Sequence, residues 1–230
     1  MRPGPTSLGP FDPGYKELPA ALPIFPLTGA VLLPGGRLPL NIFEPRYLNM
    51  TLDALKNGRI FGMIQPDYDK GPKAQEGKSA EPATYSVGCA GRISSFEETE
   101  DGRLLIVLKG LTRFRVVEEI EGRSGYRRVR AAYDDFKADL DPLPPLSLDR
   151  KNFMGRLQPY LEAHAMPIQI DVLRGLSDAA LVTSLCAICP FDPREKQALL
   201  ESPTLATRAE TLLTLLQIGV FEAGNDAPRQ

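Results

Sequence analysis

Between Lys137 and Ser147 the sequence reads KADLDPLPPLS, with three prolines in four residues. Proline fixes φ and lacks the N–H that helices and ladders need, so no regular element crosses this stretch. The hydrophobic pattern differs on its two sides. Before it, apolar residues alternate or cluster in short runs; after it, they recur every three or four residues. Strands followed by helices, rather than strands alternating with them, predict an α+β chain. The reading is a β-rich subdomain over residues 20–138 and an α-helical subdomain over 146–220. Residues 1–19, with five prolines and three glycines, read as a disordered leader, and residues 221–230 as a disordered tail.

Within the first part, LPIFPL and VLLP are short apolar runs punctuated by proline, as expected of edge strands. RLPLNIF continues the sheet into Glu44-Pro45-Arg46-Tyr47. Pro45 suits the first position of a helix, Leu48, Leu52 and Leu55 follow at helical spacing, and Gly58 closes it. RIFGMIQ reads as a buried strand. TYSVGCAGRISSFEE and RLLIVLKG face each other across Glu100-Asp101-Gly102. A second hairpin turns at Gly122-Arg123-Ser124-Gly125. Its expected register places Glu121 opposite Tyr126, Glu119 opposite Arg128 and Arg113 opposite Asp134, giving the arginines of GRSGYRRVR local partners.

The second part reads as four or so helices. Phe153, Met154, Leu157, Tyr160 and Leu161 form one stripe, with a kink expected at Pro159. Ser177 caps a helix carrying Leu181, Val182, Leu185 and Cys186. Asp192-Pro193-Arg194-Glu195 combines a cap, a first-turn proline and a glutamate reaching back. The last helix buries Leu205, Ala209, Leu212, Leu213 and Leu216 and is expected to end before Gly219.

Several function classes are disfavoured by composition and motif. The net charge is -2 and the pI about 5.6, so nothing global attracts nucleic acid or an anionic membrane. No apolar run is long enough to span a bilayer, and the N-terminus lacks a signal-peptide pattern, so a cytoplasmic protein is expected. GPKAQEGKSA, residues 71–80, resembles a phosphate loop but spaces its glycines wrongly and meets Pro82 where a helix should open. It reads as a polar surface loop. Cys186-Ala-Ile-Cys189, with Cys89 and His164, has the residue types of a zinc site. Yet the pair sits at a helix end, where the dipole opposes a thiolate. His164 has no companion base and no nucleophile elbow. Neither metal, cofactor nor catalytic residue is expected.

The long apolar stretch LPIFPLTGAVLLPGGRLPLNIFEPRY, followed by GMIQPD, YSVGCAGRISSFEETEDGRLLIVLKGLTRFRV and CPFDPREKQALLESPTLATRAETLLTLL, resembles the N-terminal substrate-binding domain of Lon proteases. The resemblance runs from about Leu18 to Gly219 and looks closest to stand-alone bacterial proteins without the ATPase and peptidase modules. It implies a PUA-like β-rich pseudo-barrel followed by a helical bundle, and a non-catalytic module that binds unfolded or exposed apolar polypeptide segments in protein quality control. The alternatives are an RNA-binding PUA-like domain and an adaptor docking on another protease or ATPase. Polypeptide substrates or a partner protein are the expected partners, with neither nucleic acid nor membrane. An exposed sheet edge or an apolar groove would serve. The expected contact surface is Phe43, Glu44, Arg46 and Tyr47 with nearby Phe25, Leu32, Leu33 and Leu40. Of these, Glu44, Arg46 and Tyr47 are expected to be partly exposed at the helix start.

Overall fold

A computed structural model describes residues 9–70, 72–73, 81–142, 145–168 and 170–226. The phosphate-loop-like stretch therefore lies, apart from Pro72 and Lys73, outside the described residues. The chain divides into two compact units, Met1–Pro142 and Leu143–Gln230, at the proline-rich break.

The first unit carries β1 (Ala21–Pro26), β2 (Arg37–Ile42), helix α1 (Pro45–Lys56) and β3 (Ile60–Ile64). Short β4 (Pro72–Lys73) and β5 (Glu81–Pro82) pair with each other, and β6 (Val87–Glu98), β7 (Leu104–Arg123) and β8 (Tyr126–Ala132) complete it. The main sheet runs β2-β7-β6-β3-β1-β8, and β8 pairs back onto β7. Five strands are thus closed into a ring, with β2 outside it. The twenty residues of β7 serve two partners along one edge, β2 over Leu104–Lys109 and β8 over Arg115–Arg123. β6 lines the other edge of β7. The barrel interior is filled by Leu22, Ile24, Ile60, Ile64, Leu111 and Phe114, with Val129 and Tyr133.

β1 is not the edge strand its prolines suggest, since it pairs parallel with β3 and antiparallel with β8. The two ladders overlap only at Ile24. Pro23 precedes the β3 ladder and Pro26 lies beyond the β8 ladder, so each missing N–H can fall where no partner runs. VLLP forms no strand; Val31, Leu32 and Leu33 are buried in a loop. The turn of the second hairpin is two residues, Ser124 and Gly125, both at positive φ. This matches the twist of the strands. Register starts at Arg123 opposite Tyr126, shifts once to put Ile120 opposite Arg128 and Glu118 opposite Arg130, and shifts again to put Val116 opposite Ala131. The expected Glu121–Tyr126 and Glu119–Arg128 pairs are therefore displaced. Arg127 pairs instead with Glu119, Arg130 with Glu118, Arg123 with Asp53 and Arg113 with Asp139.

Residues 9–19 do not behave as a disordered leader. Tyr15 and Leu18 pack on the barrel core, and the Asp12 carboxylate is ion-paired to the sheet. One well-placed acid and two apolar side chains outweigh a composition that averages as disordered.

The second unit holds α2 (Arg150–Ala163), α3 (Ile170–Arg174), α4 (Asp178–Ile188), α5 (Pro193–Glu201) and α6 (Leu205–Asp226). Ser177 and Asp192 cap α4 and α5, the latter with Glu195 completing the reciprocal box. α6 runs through Gly219 instead of ending before it. A Cβ there would lie 2.5 Å from the Tyr160 ring, so this glycine serves close helix packing rather than termination. Residues 221–226, expected as tail, continue α6.

Candidate functional site

The expected site residues separate into three groups. Phe25 and Tyr47 stack at 3.9 Å between ring centroids and are buried, as are Leu32 and Leu33. Tyr47, expected to be partly exposed, is 6% exposed, and burial raises its phenol pKa. Its stacking on Phe25 also fixes the rotation of α1. The helix therefore buries Tyr47, Met50, Thr51 and Ala54, and Leu52 faces outward.

Glu44 and Arg46 are half-exposed but already engaged. Arg46 donates from Nε to Glu44 at 3.1 Å and from Nη1 to Glu81 at 2.9 Å, and its guanidinium lies 4.6 Å over the Tyr47 ring. Glu81 also pairs with Arg127 of β8, which forks onto Glu119 at 2.7 and 2.9 Å. This chain of charges ties the start of α1 to the β7–β8 hairpin. Asn49 and Asp53 of α1 add hydrogen bonds to Ser124 and Tyr126. The turn is thus a structural knot, and only Phe43, 61% exposed, stands clear of it.

Leu40 leads elsewhere. Where β7 passes beyond the barrel it carries β2 on one edge and the end of β6 on the other, forming a three-stranded wing. A groove of about 450 Å³ lies on it, lined by residues 39–41, 95–97 and 105–107. Phe96 is 54% exposed and Leu105 42%, and Leu40 is half-buried. The register sets Leu40, Ile106 and Phe96 in one row across the strands, and Asn41, Leu105 and Glu97 in the next. The outer edge of β2 has no ladder partner among the described residues, and Phe43 follows its last residue. Phe96 and Leu105 were missed from the sequence because each sits in a strand that reads as core. Phe96 is exposed where β6 outruns the barrel, and Leu105 because it lies on the outward face of β7, between the buried Leu104 and Ile106.

The cysteines have no such setting. All three are buried, and Cys89 lies in β6 of the first unit. Desolvation pushes Cys186 and Cys189 up to about 12. No group of three or more His, Cys, Asp and Glu among the described residues could hold a metal. A thiol reagent is therefore expected to react with none of them rapidly at pH 8 and with all three in denaturant. A fast-reacting native thiol would contradict the burial. No helix among the described residues is long and apolar enough to cross a membrane.

Residues 21–217 match the family model of the ATP-dependent protease La (LON) substrate-binding domain. The chain belongs to this Lon domain family. Lon protease 2 of Myxococcus xanthus is 28% identical over 219 residues, covering 92% of this chain and 25% of that protein. Lon protease of Anaeromyxobacter dehalogenans is 27% identical over 87% of this chain and 23% of its own length. The chain thus spans about a quarter of the length of these Lon relatives. Among solved structures, a Lon N-terminal domain protein from Xanthomonas campestris is similar with a TM-score of 0.55 and 26% identity, over 84% of this chain and 97% of that one. The N-terminal domain of Mycobacterium avium complex Lon protease shares the fold at 16% identity and a TM-score of 0.54. The α+β reading, a mixed six-stranded sheet with helices after it, agrees with these Lon domain structures.

Proposed function

We propose that the chain is a non-catalytic module that binds polypeptide, taking an extended apolar segment of an unfolded protein along the wing. The observation that carries this is the wing itself: Phe96 is exposed on one face, in a row with Leu40, and Leu105 on the other, beside an edge strand whose outer backbone groups have no ladder partner among the described residues. Side chains of an extended segment would enter the groove while its backbone runs beside β2. Leu40 and Phe43 belong to this surface; Phe25, Leu32, Leu33 and Tyr47 support it from the core. The family's description as a substrate-binding domain favours the same reading, as does the placement of the cations. Arg46, Arg92, Arg113, Arg115, Arg127 and Arg130 all pair with carboxylates, which disfavours an RNA-binding stripe. A role in cytoplasmic protein quality control follows from this reading.

The test is fluorescence anisotropy with labelled extended peptides carrying alternate apolar residues. Phe96→Asp is expected to weaken binding by about tenfold to a hundredfold, since it places a charge where an aromatic anchor was. The thermal midpoint should hardly move, because the side chain is exposed. Unchanged affinity in a folded variant would rule the groove out. Peptide-independent capture of one ATPase or protease subunit would point to the adaptor reading instead.

A further inference from the structure

The hydrogen bonds of the edge strand β2 alternate in direction. Gly110 N–H donates to the Gly36 carbonyl at 2.9 Å, just before the ladder in which Arg37 opposes Lys109 and Ile42 opposes Leu104 without a slip. In an antiparallel pair every second residue turns both its N–H and its C=O to the neighbour. Onward from Gly36 these residues are Leu38, Leu40 and Ile42. Arg37, Pro39 and Asn41 therefore turn theirs outward, away from β7. The Val107 carbonyl agrees: the Ser94 hydroxyl of β6 donates to it at 2.9 Å, so it faces away from β2, and Val107 is the residue opposite Pro39. Pro39 thus takes nothing from the β7 ladder. Its ring stands where the middle outward-facing N–H of the strand would be.

In other respects this edge is suited to pairing with itself. Leu38, Leu40 and Ile42 alternate with Arg37, Pro39 and Asn41, and Arg37 carries its single charge. An antiparallel second copy using the outward groups would set Arg37 opposite Asn41 of the copy. Leu38 would then oppose Leu40 of the copy, both half-buried apolar residues. The same two-fold axis puts Pro39 opposite Pro39. Both donors of the central pair are missing there, and each ring meets the carbonyl that should have accepted. Neither β2 can bulge away, because each is laddered to its own β7 along its whole length. Sliding the copy by two residues still brings both prolines against Arg37 or Asn41, and it shortens the ladder. A free extended segment differs in two ways. It loses one bond where the copy loses two, and it can bulge opposite the ring while keeping its bonds to Arg37 and Asn41.

We propose that Pro39 determines what can pair with this edge: it closes β2 to a second copy of the chain and leaves it usable by a foreign extended segment. The outward carbonyls of Arg37, Pro39 and Asn41 accept from such a segment, and the N–H groups of Arg37 and Asn41 donate to it. The missing donor weakens that pairing by one hydrogen bond. It removes the centre of any pairing between copies, so the wing stays free at high concentrations of the chain.

The part concerning the foreign segment rests on the polypeptide-binding reading; the part concerning a second copy does not, and two measurements keep them apart. Sedimentation velocity of the full chain over a range of concentration tests the second copy. Wild type should stay monomeric, whereas Pro39→Ala should shift to dimer as concentration rises. Pro39→Thr, a better strand former, should do so at lower concentration. Adding Asn41→Pro to Pro39→Ala returns a ring to the same edge and should restore the monomer. Anisotropy titration, at concentrations where Pro39→Ala is still monomeric, tests the foreign segment. The labelled extended peptide should bind Pro39→Ala about fivefold tighter than wild type, the size of one hydrogen bond. If folded Pro39→Ala and Pro39→Thr both remain monomeric, or wild type dimerises equally, Pro39 does not guard the edge. Equal peptide affinity of wild type and Pro39→Ala overturns the pairing of a segment with β2. Dimerising variants of a chain that binds no peptide in any form sink the polypeptide reading and leave the guard standing.

Discussion

Alanine at Gly110 is expected to destabilise the first unit by about 4 kcal/mol or more, although it adds a single methyl group. Gly110 lies in β7 where the ladder to β6 slips, with Gly91 opposite Gly110 and Ala90 opposite Thr112. The loop Leu33–Gly36 crosses it closely: Gly35 N–H donates to the Gly110 carbonyl at 3.0 Å, and Gly110 N–H donates to the Gly36 carbonyl at 2.9 Å. A Cβ at this position would stand 2.0 Å from the Leu33 carbonyl oxygen and 2.8 Å from its carbon. Those are backbone atoms, so no rotamer change relieves the clash. The loop must lift, losing two hydrogen bonds worth about 1 kcal/mol each. It would also uncover Leu32 and Leu33, each 2% exposed, and part of about 1.5–3 kcal/mol apiece would go with them. Denaturant unfolding followed by circular dichroism and tyrosine fluorescence reads this directly, since the chain has no tryptophan. Gly155→Ala is the control: nothing lies within 4 Å of its Cβ on α2, and the change should stabilise by up to about 1 kcal/mol. A Gly110→Ala loss below about 1 kcal/mol would mean that the loop is not seated as described.

Phe114→Ala should cost about 4 kcal/mol, near the upper part of the range for buried phenylalanine. The ring is fully buried in the barrel core. Two glycines make room for it: a Cβ on Gly62 or on Gly88 would approach the ring to within 2.7 or 2.6 Å. Truncation therefore opens a space bounded partly by bare backbone, with few side chains able to lean in, and the cavity term stays large. The same geometry predicts a reversal of sign. Gly62→Ala alone should destabilise by crowding Phe114 and Leu22. In the Phe114→Ala background it should restore part of the loss, because its methyl group enters the vacated space. Gly88 is the poorer choice for rescue, since its Cβ also meets the Met63 carbonyl at 2.6 Å. Additive effects of Gly62→Ala and Phe114→Ala would show that the two positions do not share this space.

What was legible in the sequence was what is decided locally. The Pro45 helix start, the Ser177 and Asp192 caps and the turn after Glu98 each depend on a few neighbouring residues, and each stands as read. The proline-rich break is local in the same sense, and the two compact units meet within it. What distant partners decide was not legible. The β7–β8 register slips at irregularities that charge pairing alone does not place, and β1 is central because a strand far along the chain arrives beside it. The tetrapeptide Pro-Phe-Asp-Pro makes the limit plain. At residues 190–193 it buries Phe191 and caps α5; at 10–13 it exposes Phe11 and sends Asp12 into a cation pair. Identical local chemistry was read in one place as a helix start and in the other as part of a disordered leader. The proposed site is the same case: Phe96 is exposed because of where the barrel ends, which none of its sequence neighbours announces.

The central place of β1 has a consequence for how the chain is made. Its parallel neighbour begins only at Ile60, and its antiparallel neighbour, β8, is the last strand of the unit. During synthesis β1 emerges first and waits with Leu22, Ile24 and Phe25 uncovered until the segment through Ala132 has left the ribosome. Such non-local closure is slow, and it exposes an apolar strand to strangers in the meantime. Ribosome-stalled chains ending before Tyr126 should therefore remain protease-sensitive at β1, and those reaching past the proline break should become resistant in one step.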